Sequence, residues 1–191
     1  MIFLLSIEDC KRGGFLNFIK FGKDDINTEM YDNDSSIKIY RNFLEWLFTT
    51  FKEDESTFRK SCLERFGNLN SKKILITSCG LGEDIVLAKD LVGNDGIVHA
   101  QDLSLKFVEL SSQKNSSDNV FINISDALSL PYCDNYFDAV YHFGGISEKV
   151  FRIKNTDEKL LYSYYIYLQN NVFNRLIFKL MLTKVMIFYE I

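Results

Sequence analysis

Three short stretches of this chain have the residue types and spacing to hold a small molecule. The first is Ile74-Leu75-Ile76-Thr77-Ser78-Cys79-Gly80-Leu81-Gly82-Glu83-Asp84-Ile85. Its first five residues are uncharged and three are β-branched, as in a strand covered on both faces. Gly80 and Gly82 then let the backbone turn tightly and leave room for a ligand against it. Asp84 falls in the first turn of the helix that follows, where its charge complements the helix dipole. The second is Asp102, twenty-two residues after Gly80 at the end of the next expected strand, where a carboxylate can accept hydrogen bonds from two ribose hydroxyls. The third is Asp126-Ala127, after the third strand, where a carboxylate or backbone group can meet the edge of an adenine. Taken singly, each has a structural explanation: a plain strand-to-helix turn, a strand end and a capped turn. An adenosine-containing ligand accounts for all three together, because ligands of open parallel sheets bind outside the carboxyl ends of the strands near the switch in strand order.

The details narrow the cofactor. A dinucleotide fingerprint G-x-G-x-x-G requires a third glycine three residues after the second, and that position is Ile85. Glu83 and Asp84 at the helix start also disfavour a pyrophosphate, whereas a sulfonium or α-ammonium group tolerates them. An NAD-dependent oxidoreductase is therefore disfavoured, and no Gly-Lys-Ser/Thr follows to make a P-loop. Cys10, Cys62, Cys79 and Cys133 form no CxxC pair, and the two histidines, His99 and His142, are far apart, so no metal site is expected. His142 is the one candidate general base near the ligand edge. Its place inside Tyr141-His142-Phe143 fits a structural histidine better, so the catalytic residue is open.

These residues need elements to position them. Residues 1–33 lack a clear period, with a short helix expected around Gly14–Phe21. Asp34 or Ser35 is expected to cap a helix whose Tyr40, Phe43, Leu44, Leu47, Phe48 and Phe51 form one core-facing stripe. A lid over the ligand, with Tyr31 just upstream, is the lesser reading of that stripe. Ser56 or Thr57 caps a second helix with Phe58, Cys62, Leu63 and Phe66 in register, and Gly67 stops it. A helix over Glu83–Val92, a strand over Ile97–Gln101, a helix capped by Ser104, a strand over Val120–Ile124 and a strand over Phe137–Phe143 follow in turn. Such alternation predicts an α/β fold: a Rossmann-like open parallel sheet with helices on both faces. Beyond Gly145, helices are expected around Leu160, Leu161, Tyr164, Tyr165 and Leu168 and around Phe173, Leu176, Ile177 and Leu180, with a fifth strand at Val185–Tyr189. Arg175 and Lys179 fall off that second stripe, as on a solvated face.

The 191 residues, 47% hydrophobic and 25% charged, suit a globular chain, and a net charge of −4 provides no basic field for nucleic acid. No stretch reaches the roughly 20 apolar residues of a membrane helix, and the opening Met1–Leu5 is followed at once by Glu8 and Asp9, unlike a signal peptide. A soluble, cytoplasmic protein is the expectation.

From Ser71 to Ile146 the chain resembles the class I S-adenosylmethionine-dependent methyltransferases, in particular the small-molecule branch of ubiquinone and menaquinone biosynthesis C-methyltransferases. The resemblance is carried by Ser78-Cys79-Gly80-Leu81-Gly82, Asp102-Leu103-Ser104, Ser125-Asp126-Ala127 and, most specifically, Leu130-Pro131-Tyr132-Cys133-Asp134-Asn135-Tyr136-Phe137-Asp138-Ala139-Val140. It implies S-adenosylmethionine as cofactor, held by Ser78, Cys79, Gly80, Gly82, Asp102, Leu103, Asp126, Ala127 and Phe143. The methyl group would pass to a small-molecule acceptor, with Gly144 and Gly145 letting the loop approach. Two departures stand out. The family's acid on the first strand is Ile76 here and its first glycine is Ser78, with Glu83 or Asp84 as substitutes for the lost anchor. The family's last strands are also missing after Ile146, as in a truncated domain. The expected organisation is a helical cap over 1–70, a cofactor-binding core over 71–146 and a divergent segment over 147–191. A non-catalytic remnant or binding module of the same fold is the alternative function.

Overall fold

Ile74, Leu75, Ile76 and Thr77 are all buried, and the strand they form has a strand on each side of it. The computed structural model describes residues 11–12, 15–18, 32–127, 130–133, 135–143 and 160–162. Met1–Leu161 form one compact unit; Tyr162–Ile191 form another and, apart from Tyr162, lie outside the described residues. The elements in order are β1 (Lys11–Arg12), β2 (Phe15–Leu16), α1 (Asp34–Phe51), α2 (Glu55–Glu64), β3 (Lys73–Thr77), α3 (Glu83–Val92), β4 (Ile97–Asp102), α4 (Leu105–Lys114), β5 (Val120–Ile124), β6 (Ala139–His142) and β7 (Leu160–Tyr162). The main sheet runs β5-β4-β3-β6-β7. β3 is parallel to β4 with Lys73 opposite Ile97, β4 to β5 with Val98 opposite Val120, and β3 to β6 with Ile74 opposite Ala139. Strand order therefore reverses between β3 and β6, which places the switch point beside the glycine turn.

The helices start where side chains can take up their unpaired N–H groups. Asn33, rather than Asp34 or Ser35, caps α1 by accepting from Ser36 N–H at 2.9 Å, and Asp54, rather than Ser56 or Thr57, caps α2 by accepting from Thr57 N–H at 2.8 Å. Both true caps lie one to three residues upstream of the expected ones, because N-capping needs a short acceptor with extended backbone, which Asn33 and Asp54 have. Ser104 caps α4 as expected, accepting from Phe107 N–H at 3.3 Å. Cys62, Leu63 and Phe66 from α2 and its C-terminal turn, with Ile85, Ala88 and Val92 from α3, pack on the sheet face made by Ile74, Ile76, Val98, Ala100, Ala139 and Tyr141. Asp138 aligns the start of β6, accepting from Lys73 N–H at 2.8 Å and from Lys72 Nζ at 3.1 Å.

Three expectations are corrected. Phe15–Leu16 is a strand paired antiparallel with Lys11–Arg12, not helix, and Asn17 bridges to Ile124; the lack of a helical period there left pairing as the way to satisfy the backbone. Leu160–Tyr162 is a strand in the order beside β6, where the apolar spacing predicted a helix, since an open sheet edge outcompetes a weak helical stripe. The fourth strand is shorter than Phe137–Phe143, at Ala139–His142. Gly144, Gly145, the helices expected after Leu161 and the strand at Val185–Tyr189 lie outside the described residues.

On the opposite sheet face, His99 of β4 stacks on Phe121 at 5.2 Å and meets Tyr132, Tyr136 and Phe137 edge-on at 5.2–5.5 Å. Burial, with Lys73 nearby, lowers the His99 pKa to about 4. The unfolded chain therefore takes up this proton first as pH falls. Stability present above pH 6.5 is lost on the way down toward pH 4, an effect of about 2–3 kcal/mol. Urea unfolding of the wild type should show this slope between pH 6.5 and 4, and His99→Gln should flatten it.

Candidate functional site

The end of β3 turns in a way few side chains tolerate. Ser78 has φ of 52°, and Gly80 and Gly82 have φ of 54° and 85°, all in the left-handed region. Cys79 N–H donates to the Gln101 carbonyl at 2.8 Å, which carries the β3–β4 ladder one step past the strand. A Cβ on Gly82 would lie 2.6 Å from Asn115 Nδ2 and 2.8 Å from Ser111 Cβ of α4, so only glycine fits there. Asn115 Nδ2 in turn donates to the Gly82 carbonyl at 3.2 Å and to that of Ser111 at 2.7 Å. A Cβ on Gly80 would lie 3.2 Å from the Tyr40 hydroxyl. Tyr40 thus extends from α1 over the turn, and its ring meets Phe107 edge-on at 5.5 Å. The aromatic stripe of α1 divides: Leu44, Leu47 and Phe48 are buried, Tyr40 covers the glycine turn, and Phe43 stacks at a tilt against Trp46.

Asp102 closes the site from β4. Its Oδ2 accepts from Gly80 N–H and its Oδ1 from Ser104 N–H, each at 3.0 Å. Burial raises its pKa, with those N–H groups working against the shift. The Leu103 N–H also acts on this carboxylate in the same sense, and a carboxylate offers about four acceptor positions in all. Ser125 N–H donates to the Asp102 carbonyl at 3.1 Å, so Asp126 and Ala127, both half-buried, follow directly beside the end of β4. Leu103 is half-buried, Ser78 exposed, and Cys79 buried with its thiol held neutral by burial. The glycine turn, Asp102, Asp126 and Phe143 all fall at the carboxyl edge. His142, the candidate base, is 4% exposed, and its Nδ1 meets Thr77 Oγ1 at 2.7 Å across the β3–β6 pairing. Among the described residues no cluster of three or more His, Cys, Asp or Glu side chains could hold a metal ion.

Beneath the turn lies a residue that sequence reasoning passed over. Arg59 is 1% exposed, yet its Nη1 pairs with Asp84 Oδ2 at 2.6 Å, its Nε with Glu55 Oε1 at 2.7 Å, and its guanidinium lies 3.9 Å from the centre of the Phe143 ring. Tyr141 donates its hydroxyl to Asp84 Oδ1 at 3.3 Å. Burial pushes the Asp84 carboxyl up to about 6 against the pull of Arg59, and pushes the Tyr40 hydroxyl up to about 12. Asp84 is therefore committed to holding α2, α3 and β6 together and is not the free substitute anchor expected of it. The signal for Arg59 was its register: residues 59, 62, 63 and 66 fall on one helical face, so Arg59 shares the buried stripe. Asp32 was missed as well; its Oδ1 accepts from Ser104 Oγ at 3.0 Å and from Lys106 N–H at 2.9 Å at the start of α4.

Residues 75–150 match the family described as a methyltransferase domain. The chain is 33% identical over 89 residues to the demethylmenaquinone methyltransferase of Staphylococcus aureus (strain MRSA252), a match covering 46% of this chain and 37% of that protein. It is 28% identical over 113 residues to the demethylmenaquinone methyltransferase of Geobacillus stearothermophilus, covering 58% and 43%. Among solved structures, the S-adenosylmethionine-dependent methyltransferase from Aquifex aeolicus aligns over 63% of this chain and 57% of that one, with 19% identity and a TM-score of 0.41. The matched stretches span less than half the length of the curated relatives. Over residues 75–150 the chain is thus similar to the methyltransferase-domain family, and no helix among the described residues is long and apolar enough to cross a membrane.

The Arg59–Asp84 pair generates a stability prediction. Arg59→Met should cost about 3–5 kcal/mol, because it strands a buried carboxylate. Adding Asp84→Leu should recover most of that loss. Urea unfolding midpoints of the single and double variants measure both effects.

Proposed function

We propose that this chain binds S-adenosylmethionine at the carboxyl edge of β3, β4 and β5 and transfers its methyl group to a small-molecule acceptor. The observation that carries the reading is Asp102, its carboxylate at the carboxyl end of β4 tied to Gly80 N–H and Ser104 N–H, beside a turn in which both glycines take positive φ. The methyltransferase-domain match over residues 75–150 supports it.

The donor set fits the group. Asp102 accepts from ribose hydroxyls, with Leu103 alongside. Ser78, Cys79, Gly80 and Gly82 let the backbone approach the amino-acid portion, and Asp126 and Ala127 meet the adenine edge. Tyr40 covers the turn as a lid, a neutral hydroxyl at any physiological pH because burial raises its pKa. Arg59 holds Phe143 in place through its guanidinium face and brings positive charge under the turn, offsetting Glu83 and Asp84. The cofactor, when bound, supplies a methyl electrophile on sulfonium. The protein's own part is to align the acceptor's nucleophile with that methyl and to exclude water, which needs no charged catalytic residue. If a proton must leave the acceptor, His142 at the end of β6 is the candidate among the described residues to take it, with Thr77 fixing its ring through Nδ1. The location is cytoplasmic on this reading.

Isothermal titration with S-adenosylmethionine and S-adenosylhomocysteine tests the proposal. The wild type should bind both, and Asp102→Ala should weaken binding by about 1.5–3 kcal/mol. No binding at millimolar ligand by the folded wild type would sink the cofactor assignment, and an unchanged Kd in a folded Asp102→Ala variant would move the ribose elsewhere. Tight binding with no methyl transfer to any quinone or phenol acceptor would identify a binding module instead.

A further inference from the structure

The helices α1, α2 and α4 each start from a residue whose side chain takes up an N–H of the first turn: Asn33, Asp54 and Ser104. α3 starts from Gly82, which has no side chain to do so and sits at φ of 85°. A glycine visits many backbone conformations on its own, so nothing local fixes the entry to α3. The fixing comes from the far end of α4. Asn115, which ends that helix, is 7% exposed, and its Nδ2 donates to the Gly82 carbonyl at 3.2 Å and to the Ser111 carbonyl at 2.7 Å. Lys114 beside it donates from Nζ to the Leu81 carbonyl at 3.1 Å and pairs with Glu83 Oε1 at 3.2 Å. Two successive carbonyls of the glycine turn are thus held by two successive residues of α4. At its start the same helix is tied to Asp102 through Ser104 N–H, so α4 links the turn to that carboxylate a second time, beside the direct bond from Gly80 N–H.

A second asparagine shows the same chemistry away from the site. Asn119 Nδ2 donates to the carbonyls of Gly93 and Gly96, each at 3.0 Å, and so clamps the turn between α3 and β4. That turn leads into the amino end of β4, whereas Asp102 is at its carboxyl end. Each asparagine bridges two backbone carbonyls, one of them at least a glycine's, but only the Asn115 clamp acts on the turn that Asp102 holds. The difference matters for binding. A site whose competent conformation is only partly populated binds its ligand more weakly by that fraction, so whatever fixes Gly82 also sets affinity.

We propose that Asn115, with Lys114 beside it, is a positioning residue for cofactor binding: it selects, from the conformations open to Gly82, the one in which the glycine turn receives the ligand. It acts through the backbone of Leu81 and Gly82 and not by touching the ligand. This inference rests on the cofactor reading above and adds to it the side chains that set the turn.

The test compares Asn115→Ala and Asn115→Leu with Asn119→Ala in three measurements: urea unfolding, titration with S-adenosylhomocysteine well below the Tm, and amide NMR of the ligand-free protein. Each variant loses a two-carbonyl clamp, so each should unfold at lower urea than the wild type. Affinity should separate them. The Asn115 variants should bind about tenfold more weakly, as the loss of a buried hydrogen bond to a carbonyl implies, while Asn119→Ala binds as the wild type does. The amide signals of Gly80 and Gly82 should broaden or split in the Asn115 variants and stay sharp in Asn119→Ala. Lys114→Met, at an exposed position, provides the same two readouts in weaker form if both Asn115 variants fail to fold. Wild-type affinity with unperturbed glycine signals in the folded Asn115 or Lys114 variants overturns the proposal, and so does an equal loss of affinity in Asn119→Ala. A wild type that does not bind S-adenosylhomocysteine overturns the cofactor reading and this inference with it, whereas failure of this inference alone shows only in the variants.

Discussion

The buried pair between Arg59 and Asp84 is the constraint from which much of the rest follows. A guanidinium in the core needs anionic partners with good geometry, and this one has Asp84 at 2.6 Å and Glu55 at 2.7 Å. Because Arg59 is on α2, Asp84 on the first turn of α3, and Tyr141 and Phe143 at the end of β6, the cluster fixes three elements to one another directly under the glycine turn. Buried ion pairs give little net stability over a well-packed apolar equivalent, but breaking one is costly. Their value here is geometric. Asp84 cannot shift without stranding the charge of Arg59, so the start of α3 is held in one position, and with it the backbone of the glycine turn.

Held from below, the turn is also gripped from the sides. Asp102 takes Gly80 N–H, Asn115 takes the Gly82 carbonyl, and Tyr40 closes over Gly80. Ser78 is kept at positive φ in the same few residues, a conformation that costs a non-glycine residue and persists only where the surroundings enforce it. Here the enforcement is visible: Cys79 N–H on Gln101 pulls the chain back to the sheet immediately after Ser78. A site that must accept a ligand without rebuilding itself benefits from such over-determination.

Much of this was readable from residue order. The alternation of β3, α3, β4, α4, β5 and β6, the glycine turn and the placing of Asp102 beside it all follow from period, β-branching and spacing, because local pattern and tertiary arrangement agree there. Failures occurred where long-range partners decide. Phe15–Leu16 has no helical or strand period of its own and takes its conformation from pairing and from the edge of β5. Leu160–Tyr162 fits a helical stripe and yet is a strand beside β6. Asp84 read as a dipole-facing acid because its partner, twenty-five residues upstream, could not be matched to it from spacing alone. Tyr40 read as core because its helix is mostly core-facing; only the bare Cα of Gly80 beneath it shows why a tyrosine belongs at that position.

The two faces of the sheet answer to different demands. The face under α2 and α3 is apolar throughout and supplies the burial that any fold of this size requires. The other face is aromatic at the row of His99 and Phe121 and uncharged-polar at the row of Thr77, Gln101, Asn123 and His142. Stability alone would select apolar residues for both rows, since strands covered on both faces read as continuous hydrophobic runs. The polarity is also not random along the strands. Apart from His99, it is concentrated at the carboxyl ends, next to Asp102, Asp126 and the glycine turn. The polar row thus gives up core stability at the same sheet edge that carries the glycine turn and Asp102.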